Sequence, residues 1–213
     1  MSEPAVPDWL RPLATVARTV RAEQLSRFVP PTDGSGRRSA VLMLFASPDG
    51  VAEADLLVLQ RADTLRSHAG QVAFPGGAAD PTDASASATA LREAEEEVGV
   101  RPSSVDVLAE LPALYLPPSA FVVTPVLGYW AQPHPVGVVD VAEVAGVRRL
   151  PLPDLLEPAN RFTVRHPSGF VGPGFEVAGL FIWGFTAGLI DRLLRLAGWE
   201  LPWDRGIVRP VAD

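Results

Sequence analysis

Residues 91–100 read LREAEEEVGV, so that Glu93, Glu95, Glu96 and Glu97 fall within five positions with Arg92 beside them. No other segment constrains the chain as much. The spacing predicts a helix over 84–98, with Asp83 as its N-cap and Gly99 as the glycine that ends it. At about 100° per residue, Glu93, Glu96 and Glu97 share one face as i, i+3 and i+4 neighbours. Ala84, Ala88, Leu91, Ala94 and Val98 then form the opposite face, which is expected to pack on a sheet, with Glu95 nearer that apolar side. Like charges at this spacing repel, and they lie toward the helix end that disfavours negative charge. A hard divalent cation reverses both costs, because it takes carboxylate oxygens, waters and phosphate oxygens as ligands. Taken alone, the run also fits a solvated acidic face.

The residues upstream shift that balance. Phe74-Pro75-Gly76-Gly77 is followed by a polar, turn-rich connector, 78–83. Paired glycines let backbone groups approach a ligand closely. A glycine turn feeding a carboxylate helix can bring a backbone carbonyl to the same cation.

Short apolar runs surround this unit. Strands are predicted at 40–46, 55–59, 71–74, 105–115, 121–130 and 144–150, with further candidates at 161–165 and 175–178. The turn-rich Ser47-Pro48-Asp49-Gly50 suggests that the first two pair antiparallel. Pro125 implies an edge strand or a bulge. Helices are expected at 8–28, at 153–156 and at 185–197, the last with Leu189, Ile190, Leu193 and Leu194 inward; Trp183 and Phe185 read as core. The pattern predicts one α/β domain over residues 1–213, with a core at about 39–198 and a mixed sheet in a sandwich.

Composition excludes several classes. The chain has 213 residues, 47% hydrophobic and 20% charged, which supports a real core. Its 18 basic residues are all arginine, against 25 acidic ones, a net charge of −7. That balance does not suit a nucleic-acid backbone as partner. With no cysteine, disulfides, thiol catalysis and cysteine–zinc sites are excluded. The three histidines are too scattered to suggest a zinc site. No stretch resembles a secretory signal or a membrane span, so a soluble, cytoplasmic protein is expected. The apolar helices at either end offer a surface for a homodimer, and an intramolecular core explains them equally well.

Residues 77–100 resemble the Nudix box: a glycine, a loop with a glutamate, then Arg-Glu-apolar-any-Glu-Glu-any-Gly-apolar. Arg92 to Val100 match position by position. Gly77 lies one residue too far from Arg92, and Ala84 stands where the pattern has glutamate, with Asp83 next to it as a substitute. Residues 57–77, LVLQRADTLRSHAGQVAFPGG, are similar to the signature of the coenzyme A diphosphatase branch of that superfamily. Arg61, Ala62, Arg66, Gly70, Phe74, Pro75, Gly76 and Gly77 fall in register, and the longer loop is also a feature of that branch. The later segments Thr124-Pro125-Val126 and Trp183-Gly184-Phe185-Thr186-Ala187 look like further parts of it.

The resemblance implies a Nudix-like α/β/α sandwich that hydrolyses a phosphoanhydride with Mg²⁺ or Mn²⁺. Glu93, Glu96 and Glu97 would hold the metal with the Gly77 carbonyl, and Arg92 would orient a box glutamate. The general base would be one of these glutamates or a carboxylate from a later loop such as Glu143. Arg61, Arg66, His68, Phe74 and Gly76 would face the substrate; the two arginines suit phosphate through bidentate contacts. The substrate implied is coenzyme A or an acyl-CoA, cleaved to 3′,5′-ADP and 4′-phosphopantetheine. Hydrolysis of another nucleoside diphosphate derivative such as ADP-ribose, and a non-catalytic ligand sensor, are the competing readings.

Overall fold

The computed structural model describes residues 6–47, 50–65, 68–117 and 119–211. The expected N-terminal helix is two short ones, α1 (Arg11–Ala17) and α2 (Ala22–Leu25). The backbone is extended at Arg21, whose N–H donates to Gln24 Oε1 at 2.9 Å, so the chain starts a new helix there. The β-branched Val16, Thr19 and Val20 at the break also weaken helix propensity. Leu10, Leu13, Ala17, Val20 and Leu25 are nonetheless buried. This apolar face packs on the body of the domain, although no continuous helix carries it.

Eight strands form the main sheet: β1 (Arg37–Ala46), β2 (Asp55–Arg61), β3 (Val72–Ala73), β4 (Gly76–Ala78), β5 (Val105–Glu110), β6 (Leu114–Leu116), β7 (Phe121–Trp130) and β8 (Val144–Pro151). The order is β3-β2-β1-β7-β5, with β8 on β2, β4 on β1 and β6 on β7. β1 and β7 run parallel, from Arg37 opposite Phe121 to Phe45 opposite Tyr129. β1 and β2 pair antiparallel, so the sheet is mixed, as the sequence predicts.

β1 shows why its sequence is a continuous apolar run. Ala40, Leu42, Leu44 and Ala46 point to one face and pack with Ala90, Ala94 and Val98 of helix α3 (Ala86–Val98). Met43 and Phe45 point to the other face and pack with Leu13 of α1 and with Leu189, Ile190 and Leu193. Alternation puts successive side chains on opposite faces, and a strand covered on both faces needs apolar residues at every position.

Pro125 does not mark an edge: β7 lies between β1 and β5. Its carbonyl accepts from Leu111 N–H at 2.8 Å, in the gap between β5 and β6. A strand residue's N–H and C=O point the same way, so the missing N–H falls where no ladder bond is due.

The remainder is α4 (Leu152–Leu156), β9 (Arg161–Arg165), β10 (Val171–Val177), β11 (Leu180–Ile182), α5 (Gly184–Leu196) and β12 (Val208–Pro210). A second sheet has the order β11-β10-β9-β12; β11 and β12 have no clear sequence signal because each is only three residues long. α5 buries Leu189, Ile190, Leu193 and Leu194, the expected face. The result is an α/β architecture with α3 on one face of the mixed sheet and α1 and α5 on the other. Trp183, expected as core, is only half-buried. It stacks on His166, with centroids 5.0 Å apart. Among the described residues no helix is long and apolar enough to cross a membrane.

Candidate active site

Helix α3 begins two residues later than expected. Its N-cap is Ser85, which accepts from Ala88 N–H at 3.1 Å. Glu110 of β5 caps the first turn from across the sheet: its Oε1 accepts from Ser87 N–H at 2.8 Å and from Ser87 Oγ at 2.7 Å. No local pattern signals that partner, which lies 23 residues away. Gly99 closes the helix in the left-handed conformation at φ 77°, which glycine adopts at little cost.

The helix is turned by about a quarter rotation from its expected setting. Its buried residues are Thr89, Ala90, Ala94, Glu97 and Val98, whereas Glu95 is exposed and Ala84 lies outside the helix. Ala90 and Ala94 let the helix approach β1 closely. At about 100° per residue, centring the contact on them swings Glu97 and Glu93 toward the sheet. Glu97 is only 4% exposed.

Two glycines of β4 meet these carboxylates. Gly76 N–H donates to Glu97 Oε2 at 2.8 Å. A Cβ at Gly76 would overlap the Ala40 carbonyl, so only glycine lets β4 lie this close to β1. A Cβ at Gly77 would stand 2.5 Å from Glu93 Cδ. The glycine pair therefore forms the bed on which both carboxylates rest.

Burial pushes the Glu97 carboxyl up to about 8, against the Gly76 hydrogen bond; the charges of Glu93 and Glu143 raise it further and Arg61 lowers it. Burial raises Glu93 as well, opposed by Arg92. Two carboxyl groups are thus held close together where burial disfavours their charged form.

Arg92 is fully engaged. Its Nε and Nη2 donate to Asp83 Oδ1 and Oδ2 at 3.1 and 3.0 Å. Nη2 also donates to the Ala78 carbonyl at 3.0 Å. Nη1 donates to Glu93 Oε1 at 2.9 Å and to Glu96 Oε2 at 3.0 Å. These acceptors use all five donors a guanidinium has. Asp83 is therefore not the N-cap. It clamps Arg92, and the guanidinium holds its carboxyl well below the usual carboxylate range.

Arg61 ends β2, and its charge acts on Glu97. Its Nε is buried without a hydrogen-bond partner among the described residues. The loop that follows is closed at its base by Arg61 N–H donating to the Gln71 carbonyl at 2.9 Å. Arg66 lies outside the described residues. His68 is exposed with φ 57°, and its Nδ1 pairs with Gln71 Oε1 at 2.9 Å. Phe74, expected on the substrate side, is instead 3% exposed within the core beneath the sheet. Glu143 sits just before β8 with an exposed side chain. Its carbonyl accepts from Ala62 N–H at 2.8 Å.

The oxygen-only donors suit a hard divalent ion. Glu93, Glu97 and the Gly77 backbone are brought together. Glu96 is not: its side chain is 59% exposed and tied to Arg92. Among the described residues no three His, Asp or Glu side chains stand close enough to hold a metal, since Arg92 draws Glu93 and Glu96 to itself.

A mixed sheet carrying a glycine turn, a clamped arginine and a carboxylate helix defines a class, and comparison identifies it. Residues 36–169 match the NUDIX domain, and the chain belongs to that family. "Uncharacterized Nudix hydrolase NudL" of Cronobacter sakazakii is 44% identical over 148 residues, 66% of this chain and 74% of the relative. Its namesake from Escherichia coli K12 is 43% identical over 145 residues, covering 65% and 72%. A MutT/nudix family protein from Enterococcus faecalis shares the fold at 16% identity, with a TM-score of 0.53 over 88% of this chain and 73% of that one.

Proposed function

We propose that this Nudix hydrolase is a divalent-metal-dependent diphosphatase of coenzyme A or its acyl derivatives, yielding 3′,5′-ADP and 4′-phosphopantetheine. One observation carries the reading. The segment 57–77, similar to the coenzyme A diphosphatase signature, carries Arg61 and ends at the glycines that lie against Glu97 and Glu93.

In this reading Glu93, Glu97 and the Gly77 carbonyl would hold Mg²⁺ or Mn²⁺, with Glu96 joining them on leaving Arg92. When bound, such an ion neutralises diphosphate oxygens and polarises the P–O bond under attack. Arg61 and Arg66 grip the diphosphate through their guanidinium groups. Glu143 takes a proton from the attacking water. The water oxygen bonds to phosphorus, the bridging P–O bond breaks, and its electron pair leaves with the departing phosphate. Arg92 keeps Glu93 oriented and does not touch substrate. The working compartment proposed is the cytoplasm.

Product analysis tests the reading, with coenzyme A, 3′-dephospho-coenzyme A, ADP-ribose and dGTP offered side by side with Mg²⁺ or Mn²⁺. Preference for coenzyme A with release of 3′,5′-ADP is the expected result. Preference for ADP-ribose or dGTP refutes the substrate, and no turnover of any of them moves the sensor reading to first place.

A further inference from the structure

The turn that carries Glu143 starts on the helix that carries Glu97. Val139 N–H and Asp140 N–H donate to the Glu97 carbonyl at 3.0 and 3.4 Å, and Gly137 N–H donates to the Val98 carbonyl at 3.2 Å. Residues 137–140 thus satisfy the carbonyls that the last turn of α3 leaves open. The chain then reverses around Asp140. Its Oδ1 accepts from Ala142 N–H at 2.8 Å. Its carbonyl accepts from Glu143 N–H at 3.3 Å and Val144 N–H at 2.9 Å. Glu143 closes the circuit through its carbonyl bond to Ala62, the residue after Arg61.

Side-chain burial does little to hold this turn: Val139 and Val141 are 58% and 79% exposed. The Glu143 side chain makes no hydrogen bond or ion pair among the described residues, so the region its carboxylate can reach is set by the backbone that carries it. A carboxylate that must meet a water at a defined point depends on that backbone, because misplacement by about 1 Å costs about 100-fold in rate.

We infer that Asp140 is a positioning residue whose side-chain bond to Ala142 holds the turn that presents the Glu143 carboxylate to the pocket of Glu93 and Glu97. The charge of Glu143 is felt at both of those groups, so the turn stands close to them. The inference rests on the reading of Glu143 as proton acceptor. Asp140 serves through its Oδ1 as an acceptor, and its charge is not required, so asparagine should replace it and alanine should not.

Asp140→Ala, Asp140→Asn, Glu143→Gln and the Asp140→Ala/Glu143→Gln double variant of the full chain test this, assayed on whichever of the four candidate substrates the wild type turns over fastest. Asp140→Ala is expected to lower kcat by about 10- to 100-fold with KM within about twofold. Asp140→Asn should restore most of kcat. The double variant should be no slower than Glu143→Gln alone, because a turn with no base to aim has nothing to lose. Asp140→Ala with wild-type kcat beside a crippled Glu143→Gln overturns the inference and leaves Glu143 in place. An additive loss in the double variant, or no rescue by asparagine, also overturns it. A fully active Glu143→Gln refutes the role of Glu143 and the inference with it.

Discussion

Glu97→Gln should change how stability depends on pH in the metal-free protein. The carboxyl ionises near 4.5 in the ordinary state and at about 8 in the fold. Between those values the folded chain holds a proton that the unfolded chain has released. Its contribution is therefore fully present below about pH 4.5 and is lost as pH rises through about 8. A separation of about 3.5 units at about 1.4 kcal/mol each sets a loss of up to about 5 kcal/mol across that window. Glutamine keeps an acceptor for Gly76 N–H and cannot ionise, so the variant should lack this slope. The assay is urea denaturation in EDTA at steps from about pH 5 to pH 8.5. Taking wild type minus variant cancels the titration of the groups that do not interact with Glu97. The difference should fall steadily, with the variant gaining on the wild type by several kcal/mol toward pH 8. A difference that stays flat refutes the burial of Glu97 as a charge in waiting. Restoring Mn²⁺ near pH 8 should raise the wild-type midpoint and leave the variant nearly unmoved.

Gly77→Ala places a Cβ 2.5 Å from the Glu93 carboxylate, which Arg92 prevents from retreating; kcat/KM should fall by about 100-fold with a folded circular dichroism spectrum. Arg92→Lys removes the fork that joins the 78–83 loop to α3 and should lower the thermal midpoint. Because Asp83 ionises below its unfolded value, that pair's stabilisation is present above about pH 4 and fades as pH falls through the folded value, so the variant's deficit should shrink in acid. Leu42→Ala opens a cavity between β1 and α3 and should cost about 3 kcal/mol in urea denaturation. Glu110→Ala removes the cap on Ser87 and should cost about 1 kcal/mol by the same measurement.

Local chemistry was legible in the chain. Gly99 can end a helix because its φ is open, and the strands Phe121–Trp130 and Arg161–Arg165 stand where alternation and β-branched residues put them. The carboxylate helix, the glycine pair before it and the arginine at the end of β2 were visible as residue types at fixed spacing. Partnership across space was not. Asp83 looked like a cap because Asp before a helix usually is one; it became a clamp because the 78–83 loop folds back over Arg92. Periodicity placed three glutamates on one face but left open how far that face turns from the sheet. The small side chains of Ala90 and Ala94 resting on β1 decided that, and so buried Glu97 and exposed Glu95. The sequence therefore determined which groups the protein carries and the elements that hold them. The tertiary structure decided which of those groups are buried and which feel one another's charge, because burial and charge coupling depend on distances that residues 61, 76, 97 and 143 acquire only when the sheet and helix close on one another.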